Sequence, residues 1–207
     1  RNVGQALRHC SGTWIAPCDQ DDVWRADKIE RLLDVAGDAR LVYSDSELID
    51  AEGKSLQTRV SDRLTMVDGS DPRLFALATC VSGHAMLLRR GLLDRALPLP
   101  DVSFHDWWLA FVAANVGKVR YLDEPLVQFR QHRRNLSTFT GGRHRERSSK
   151  RDKQAARQRD FDALASFLGP QQPFFQSLAT AWAERPRRAF TPRLVGMAEA
   201  SATTSPS

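Results

Sequence analysis

Along residues 1–139 the apolar positions alternate between a helical period and short extended runs, and each switch marks an element. Residues 2–10 carry helical spacing, with Gly12 placed to end the helix. Residues 13–18 form a short apolar run that reads as a buried strand. Residues 26–35 return to the helical period, with Ile29, Leu32 and Leu33 on one face and Gly37 closing the element. Residues 41–45 (LVYSD) read as a second strand ending in an acid, and residues 51–54 as a turn between two extended pieces. Residues 71–79 predict a helix opened by Asp71 with Pro72 at its first position. Residues 81–90 read as a strand with Gly83 and His84 inside it, and residues 104–116 as an apolar helix ending at Gly117. Two further strands are predicted over residues 118–122 and 126–131. Strands alternating with helices imply a mixed α/β sheet.

From residue 140 the pattern turns basic, then amphipathic. Residues 143–160 hold eight Arg or Lys (Arg143, Arg145, Arg147, Lys150, Arg151, Lys153, Arg157, Arg159) against three acids (Glu146, Asp152, Asp160). That surplus equals the net charge of +5 of the whole chain, so the remainder is close to neutral. Together with Phe161, Leu164, Phe167 and Leu168 this segment reads as one basic amphipathic helix. Three roles are open for it: a solvated face, contact with an anionic membrane surface, or nucleic-acid binding. Without aromatic interleaving or a reader motif, nucleic acid ranks last. Residues 198–207 are small and polar and read as a disordered tail. Cys10, Cys18 and Cys80 are odd in number and lack metal-ligand spacing, so they read as reduced thiols of a cytoplasmic protein. No apolar run approaches the ~20 residues of a membrane span.

The candidate chemistry begins at Asp19-Gln20-Asp21-Asp22-Val23-Trp24, directly after the first apolar run. Carboxylates crowded at a strand end repel one another, and a divalent cation relieves that repulsion. Hard oxygen donors suit Mg²⁺ or Mn²⁺, and ligands of open α/β sheets bind outside the carboxyl ends of the strands. The other reading is a solvated acidic turn capping the next helix. His105-Asp106 opens an apolar helix, which leaves Asp106 either as a helix cap or as a carboxylate facing a pocket. Gly83 either admits a substrate closely or marks a β-bulge. Pro17 is at odds with a central strand, since it removes a ladder donor.

Four stretches resemble a known family in order and spacing: RNVGQALRHCSGTWIAPCDQDDVWRADKIERLL, LVYSDSELIDAEGKS, GHAMLLRRGLL and HDWWLAFVAANVGKVRYLDEPLVQFRQHRRNLS. Over about residues 1–138 the chain resembles the inverting family 2 glycosyltransferases, and within them the rhamnosyltransferase-like branch that builds bacterial surface polysaccharide. The resemblance implies a GT-A-like mixed sheet flanked by helices, partial because the family's N-terminal nucleotide-binding strands find no match here. It divides the chain into a catalytic region (1–139), a basic helical extension (140–197) and the tail (198–207).

The function it implies is transfer of a single sugar, rhamnose at the level of the branch, from a nucleotide-diphosphate sugar to a saccharide or lipid-linked acceptor with inversion. That places the protein in the cytoplasm, at the inner face of the membrane, with Mn²⁺ or Mg²⁺ as cofactor. By resemblance Asp106 is the catalytic base. Asp21 and Asp22 are metal ligands, completed by His132, and Asp19, Asp21 and Arg130 contact the donor. Gly83, His84, His105 and Trp107 line the acceptor side. Two other readings stand beside this one: a truncated, non-catalytic remnant or acceptor-binding module, and a metal-dependent phosphohydrolase or nucleotidyltransferase.

Overall fold

The strand that positions everything else is the nine-residue Leu41–Ile49. The computed structural model describes residues 2–77, 80–132 and 149–185. The chain divides into two units, residues 100–103 going with the C-terminal part and the rest of residues 1–147 with the first. In chain order the first unit contains α1 (Asn2–His9), β1 (Trp14–Ile15), β2 (Val23–Trp24), α2 (Lys28–Ala36), β3 (Leu41–Ile49) and β4 (Ser55–Arg59). These are followed by α3 (Pro72–Leu77), β5 (Met86–Arg89), α4 (Leu93–Ala96), α5 (His105–Val116) and β6 (Val119–Arg130).

The six strands form one mixed sheet in the order β1-β5-β3-β6-β2, with β4 pairing β3 off that path. β3 runs parallel to β6 and antiparallel to β5 and β4. Eight of its nine residues are buried, as expected of a strand paired on both edges and covered on both faces. β3 therefore extends past the predicted stop at Asp45, whose buried carboxylate is satisfied by the Ser46 and Ser61 N–H groups and the Ser61 hydroxyl. The strands predicted over 118–122 and 126–131 are one strand, β6. Its register against β3 shifts around Asp45 and Pro125, where an irregularity accommodates a residue with no N–H to donate.

Three other expectations are corrected. β1 spans only Trp14–Ile15, so Pro17 lies beyond the ladder and breaks none of its bonds. Residues 83–85 form a 3₁₀ turn rather than the start of a strand, and β5 begins at Met86. The buried stripe of α2 is Lys28, Leu32 and Ala36, whereas Leu33 is 42% exposed. The i, i+4 spacing from Lys28 wins over the choice of the apolar neighbour Leu33. That stripe seals a core of Leu32, Ala36, Ala39, Val42, Leu87 and Leu126. α5 is buried over Trp107–Ala114, and an all-round apolar helix belongs inside the fold.

The second unit pairs α6 (Lys150–Ser166) with α7 (Gln172–Glu184). A capping box between Ser149 and Asp152 starts α6 at Lys150. Arg143, Arg145 and Arg147 of the predicted basic helix lie outside the described residues. Phe161, Leu164 and Phe167 are buried as the amphipathic pattern implies, but Leu168 is exposed. Asp160 is buried and accepts from the N–H and the hydroxyl of Ser103. α7 falls inside the predicted helical extension (140–197), with Pro173 near its start and Phe175, Leu178 and Ala179 on its buried face.

Candidate functional site

Between β1 and β2 the chain turns through the acidic cluster, closed by the Asp22 N–H donating to Asp19 O at 3.4 Å. β6 ends beside it. There the Arg130 N–H donates to Asp22 Oδ1 at 2.9 Å. The second oxygen, Asp22 Oδ2, is buried with no hydrogen-bond partner. His84 Nδ1 stands 3.5 Å from it, and Asp19 Oδ2 stands 3.8 Å from the same nitrogen. These three groups offer ligand atoms that all lie within 4.8 Å of one another.

Burial pushes the Asp22 carboxyl above its ordinary range. His84 beside the Asp19 carboxyl draws that group below its own, against the cost of burial. An orphaned buried carboxylate oxygen facing a second carboxylate and an imidazole is a donor set that a divalent cation satisfies. The residues present fit the metal that the sequence implies.

The other predicted ligands are placed differently. Asp21 Oδ2 lies 2.7 Å from His132 Nε2, forming a pair of its own. The Arg130 guanidinium donates to Asp21 O at 2.8 Å and, across to the β3–β4 turn, to Ala51 O at 3.0 Å and Asp50 O at 3.3 Å. Arg130 thus fastens the acidic loop to that turn. The structure brings Asp19, Asp22 and His84 together and sets Asp21 and His132 apart as a pair.

The 3₁₀ turn carrying Gly83 and His84 joins this cluster to α5. The Gly83 N–H donates to Asp106 Oδ2 at 3.1 Å, and the Trp107 N–H donates to Asp106 Oδ1 at 2.8 Å. Asp106 sits in the first turn of α5, while the cap position is taken by Phe104. A Cβ at position 83 would stand 3.4 Å from His105 Nε2 and 3.9 Å from Asp106 Oδ2, ordinary contact distances that show the turn lying against the helix start. His105 and Asp106 are half-buried. Trp107 is buried along with Trp108 and offers no free face for a sugar. The buried all-round character of α5 is the reason.

Lys28 is the site residue the sequence reading missed. It is 1% exposed; its Nζ donates to His84 O at 2.5 Å and stands 3.4 Å from the Trp24 ring centroid. The signal was available, because Lys28 lies four residues before Leu32 and eight before Ala36. Burial lowers its amine to about 7. Between that value and the ordinary 10.5, the unfolded chain holds one more proton than the folded one. Stability should therefore rise with pH across that window, by up to about 1.4 kcal/mol per pH unit from this group. Urea melts at pH 7 and pH 9 should show the rise in the parent and a flatter profile in Lys28→Met; equal slopes would count against a neutral buried amine.

Residues 1–97 match the model of the family described as glycosyl transferase family 2. The family 2 region includes Asp19, Asp21, Asp22, Gly83 and His84, while Asp106, Arg130 and His132 lie beyond it. A curated relative, an uncharacterized glycosyltransferase (alr2836) of Nostoc sp. strain PCC 7120, is 27% identical over 145 residues. The match covers 65% of this chain and 44% of the relative, so the chain spans less than half the relative's length. A mixed sheet flanked by helices, with a helical part after it, is consistent with a partial GT-A fold.

Proposed function

We propose that this protein transfers a single sugar from a nucleotide-diphosphate sugar to a saccharide or lipid-linked acceptor with inversion, in the building of bacterial surface polysaccharide. One observation carries the reading. A single 3₁₀ turn, Gly83–Ala85, joins a carboxylate pair with one buried, unpartnered oxygen, Asp22 Oδ2, to a carboxylate held at the start of α5. Inverting transfer needs those two functions side by side, one for the leaving diphosphate and one for the incoming hydroxyl.

Asp19 and Asp22 would hold Mn²⁺ or Mg²⁺, which when bound offsets the charge gathering on the departing diphosphate. Asp106 takes the proton of the acceptor hydroxyl. The acceptor oxygen bonds to the anomeric carbon as the bond from that carbon to the diphosphate oxygen breaks, on the opposite face. The Gly83 and Trp107 N–H groups fix the Asp106 carboxylate for this step. Rhamnose from dTDP-rhamnose is the donor that the branch resemblance favours. The test is product formation from a panel of dTDP- and UDP-sugars. A failure of every donor to yield a glycoside with Mn²⁺ or Mg²⁺ would remove the reading.

The proposal extends to a peripheral site at the inner membrane face, where lipid-linked acceptors reside. Arg151, Lys153 and Arg159 are exposed on α6, and anionic headgroups attract such a face. Among the described residues no helix is long and apolar enough to cross a membrane. The protein should float with phosphatidylglycerol vesicles at low salt and stay at the bottom with neutral ones. Equal recovery from both would exclude electrostatic attachment.

A further inference from the structure

We propose that His84 supplies an imidazole nitrogen to the metal, making the site selective for Mn²⁺ over Mg²⁺ and tying the cation to the turn that holds Asp106. The inference rests on the reading of Asp19 and Asp22 as metal carboxylates, and it replaces the expected His132 with a residue first assigned to the acceptor side.

The His84 ring is fixed before any cation arrives. It is buried, packed on Phe129 with ring centroids 4.3 Å apart. Its Nε2 meets Ser46 Oγ at 3.1 Å, inside the sheet. With Nε2 engaged by that hydroxyl, Nδ1 is the ring nitrogen turned to the two carboxylates, 3.5 Å from Asp22 Oδ2 and 3.8 Å from Asp19 Oδ2. Metal-bound histidines recur with the second ring nitrogen held in this way. Asp22 Oδ2, 3.5 Å from Nδ1, has no hydrogen-bond partner, so a cation between them would complete both groups.

The backbone of His84 is held as firmly as its ring. Lys28 Nζ donates to the His84 carbonyl at 2.5 Å, and the preceding Gly83 N–H bonds Asp106 at 3.1 Å. Ser46, Phe129 and Lys28 are thus positioning residues for one imidazole. Mg²⁺ favours an all-oxygen shell, whereas imidazole nitrogen suits transition metals, so a nitrogen in the site tilts it toward Mn²⁺. His132 is engaged instead by Asp21, at 2.7 Å.

Mn²⁺ titration followed by electron paramagnetic resonance tests this, with pulsed measurements reading nitrogen coupling to the bound ion. The parent should bind Mn²⁺ and show ¹⁴N coupling. His84→Asn should abolish the coupling and weaken Mn²⁺ by about tenfold or more, while changing Mg²⁺ competition little. Ser46→Ala should keep the coupling and weaken Mn²⁺ by roughly tenfold, as the loss of an outer hydrogen bond does. Far-UV circular dichroism checks that each variant is folded, and Ser46→Ala keeps the test decisive if His84→Asn is not. Mn²⁺ binding that is lost in Asp22→Asn but shows no ¹⁴N coupling, or keeps it in His84→Asn, overturns the His84 assignment and leaves the carboxylate reading standing. No Mn²⁺ binding by the parent overturns both.

Discussion

Asp106→Asn is expected to lower the rate of sugar transfer by about two to four orders of magnitude, the range that a positioned general base contributes. The substitution is isosteric and falls on a side chain whose two oxygens accept from the Gly83 and Trp107 N–H groups. The amide carbonyl can keep one of these bonds. Its NH₂ faces the other donor, so a stability loss of about 1 kcal/mol is expected, not unfolding. The Asp19, Asp22 and His84 cluster is untouched, and Mn²⁺ affinity should match the parent. The rate should fall at saturating donor, because the proton acceptor is missing after substrates have bound. A variant that kept a tenth or more of the parental rate would remove Asp106 from the role of base.

Asp22→Asn is expected to act in opposite directions on stability and on binding. Burial raises the carboxyl of Asp22, so the folded state bears a cost for keeping it charged at neutral pH. The sign follows directly: stability is lost as pH rises from the ordinary carboxylate range through the raised folded value. Asn removes the charge while its carbonyl can still accept from the Arg130 N–H. The metal-free variant should melt a few degrees higher than the parent, as a gain of about 1 kcal/mol implies. Its Mn²⁺ affinity should fall by about a hundredfold or more, and Mn²⁺ should no longer raise its melting temperature. A lower melting point combined with retained Mn²⁺ stabilisation would contradict the orphaned carboxylate as the seat of the cation.

The long periodic segments were legible in the sequence because burial alone dictates their pattern. α5 is apolar through its centre, β3 opens on an apolar run, and the α2 stripe repeats every fourth residue. The acidic cluster was legible too, since three carboxylates in four residues demand an explanation anywhere. What the sequence hid was tertiary. Whether His84 or His132 faces Asp22 depends on the 3₁₀ turn at Gly83–Ala85, and Gly-His inside an apolar run reads locally as strand. Lys28 was hidden for the opposite reason, since a lysine among exposed acids suggests solvent, whereas its place on the buried stripe decides its fate. The predicted gap between strands over 118–122 and 126–131 is bridged, because the shifted register of β3 against β6 absorbs Pro125. Arg130 looked like a phosphate ligand. The acidic loop and the β3–β4 turn converge on it in three dimensions and occupy its guanidinium with backbone carbonyls.

The measurement that bears most directly on the central claim is the formation of glycoside from UDP- and dTDP-sugars with a saccharide acceptor, in Mn²⁺ and in EDTA. The account predicts product from one nucleotide class only, with inverted anomeric configuration by NMR, abolished by EDTA and by Asp22→Asn. Turnover that survives both treatments, or free phosphate released without a glycosidic product, would contradict it.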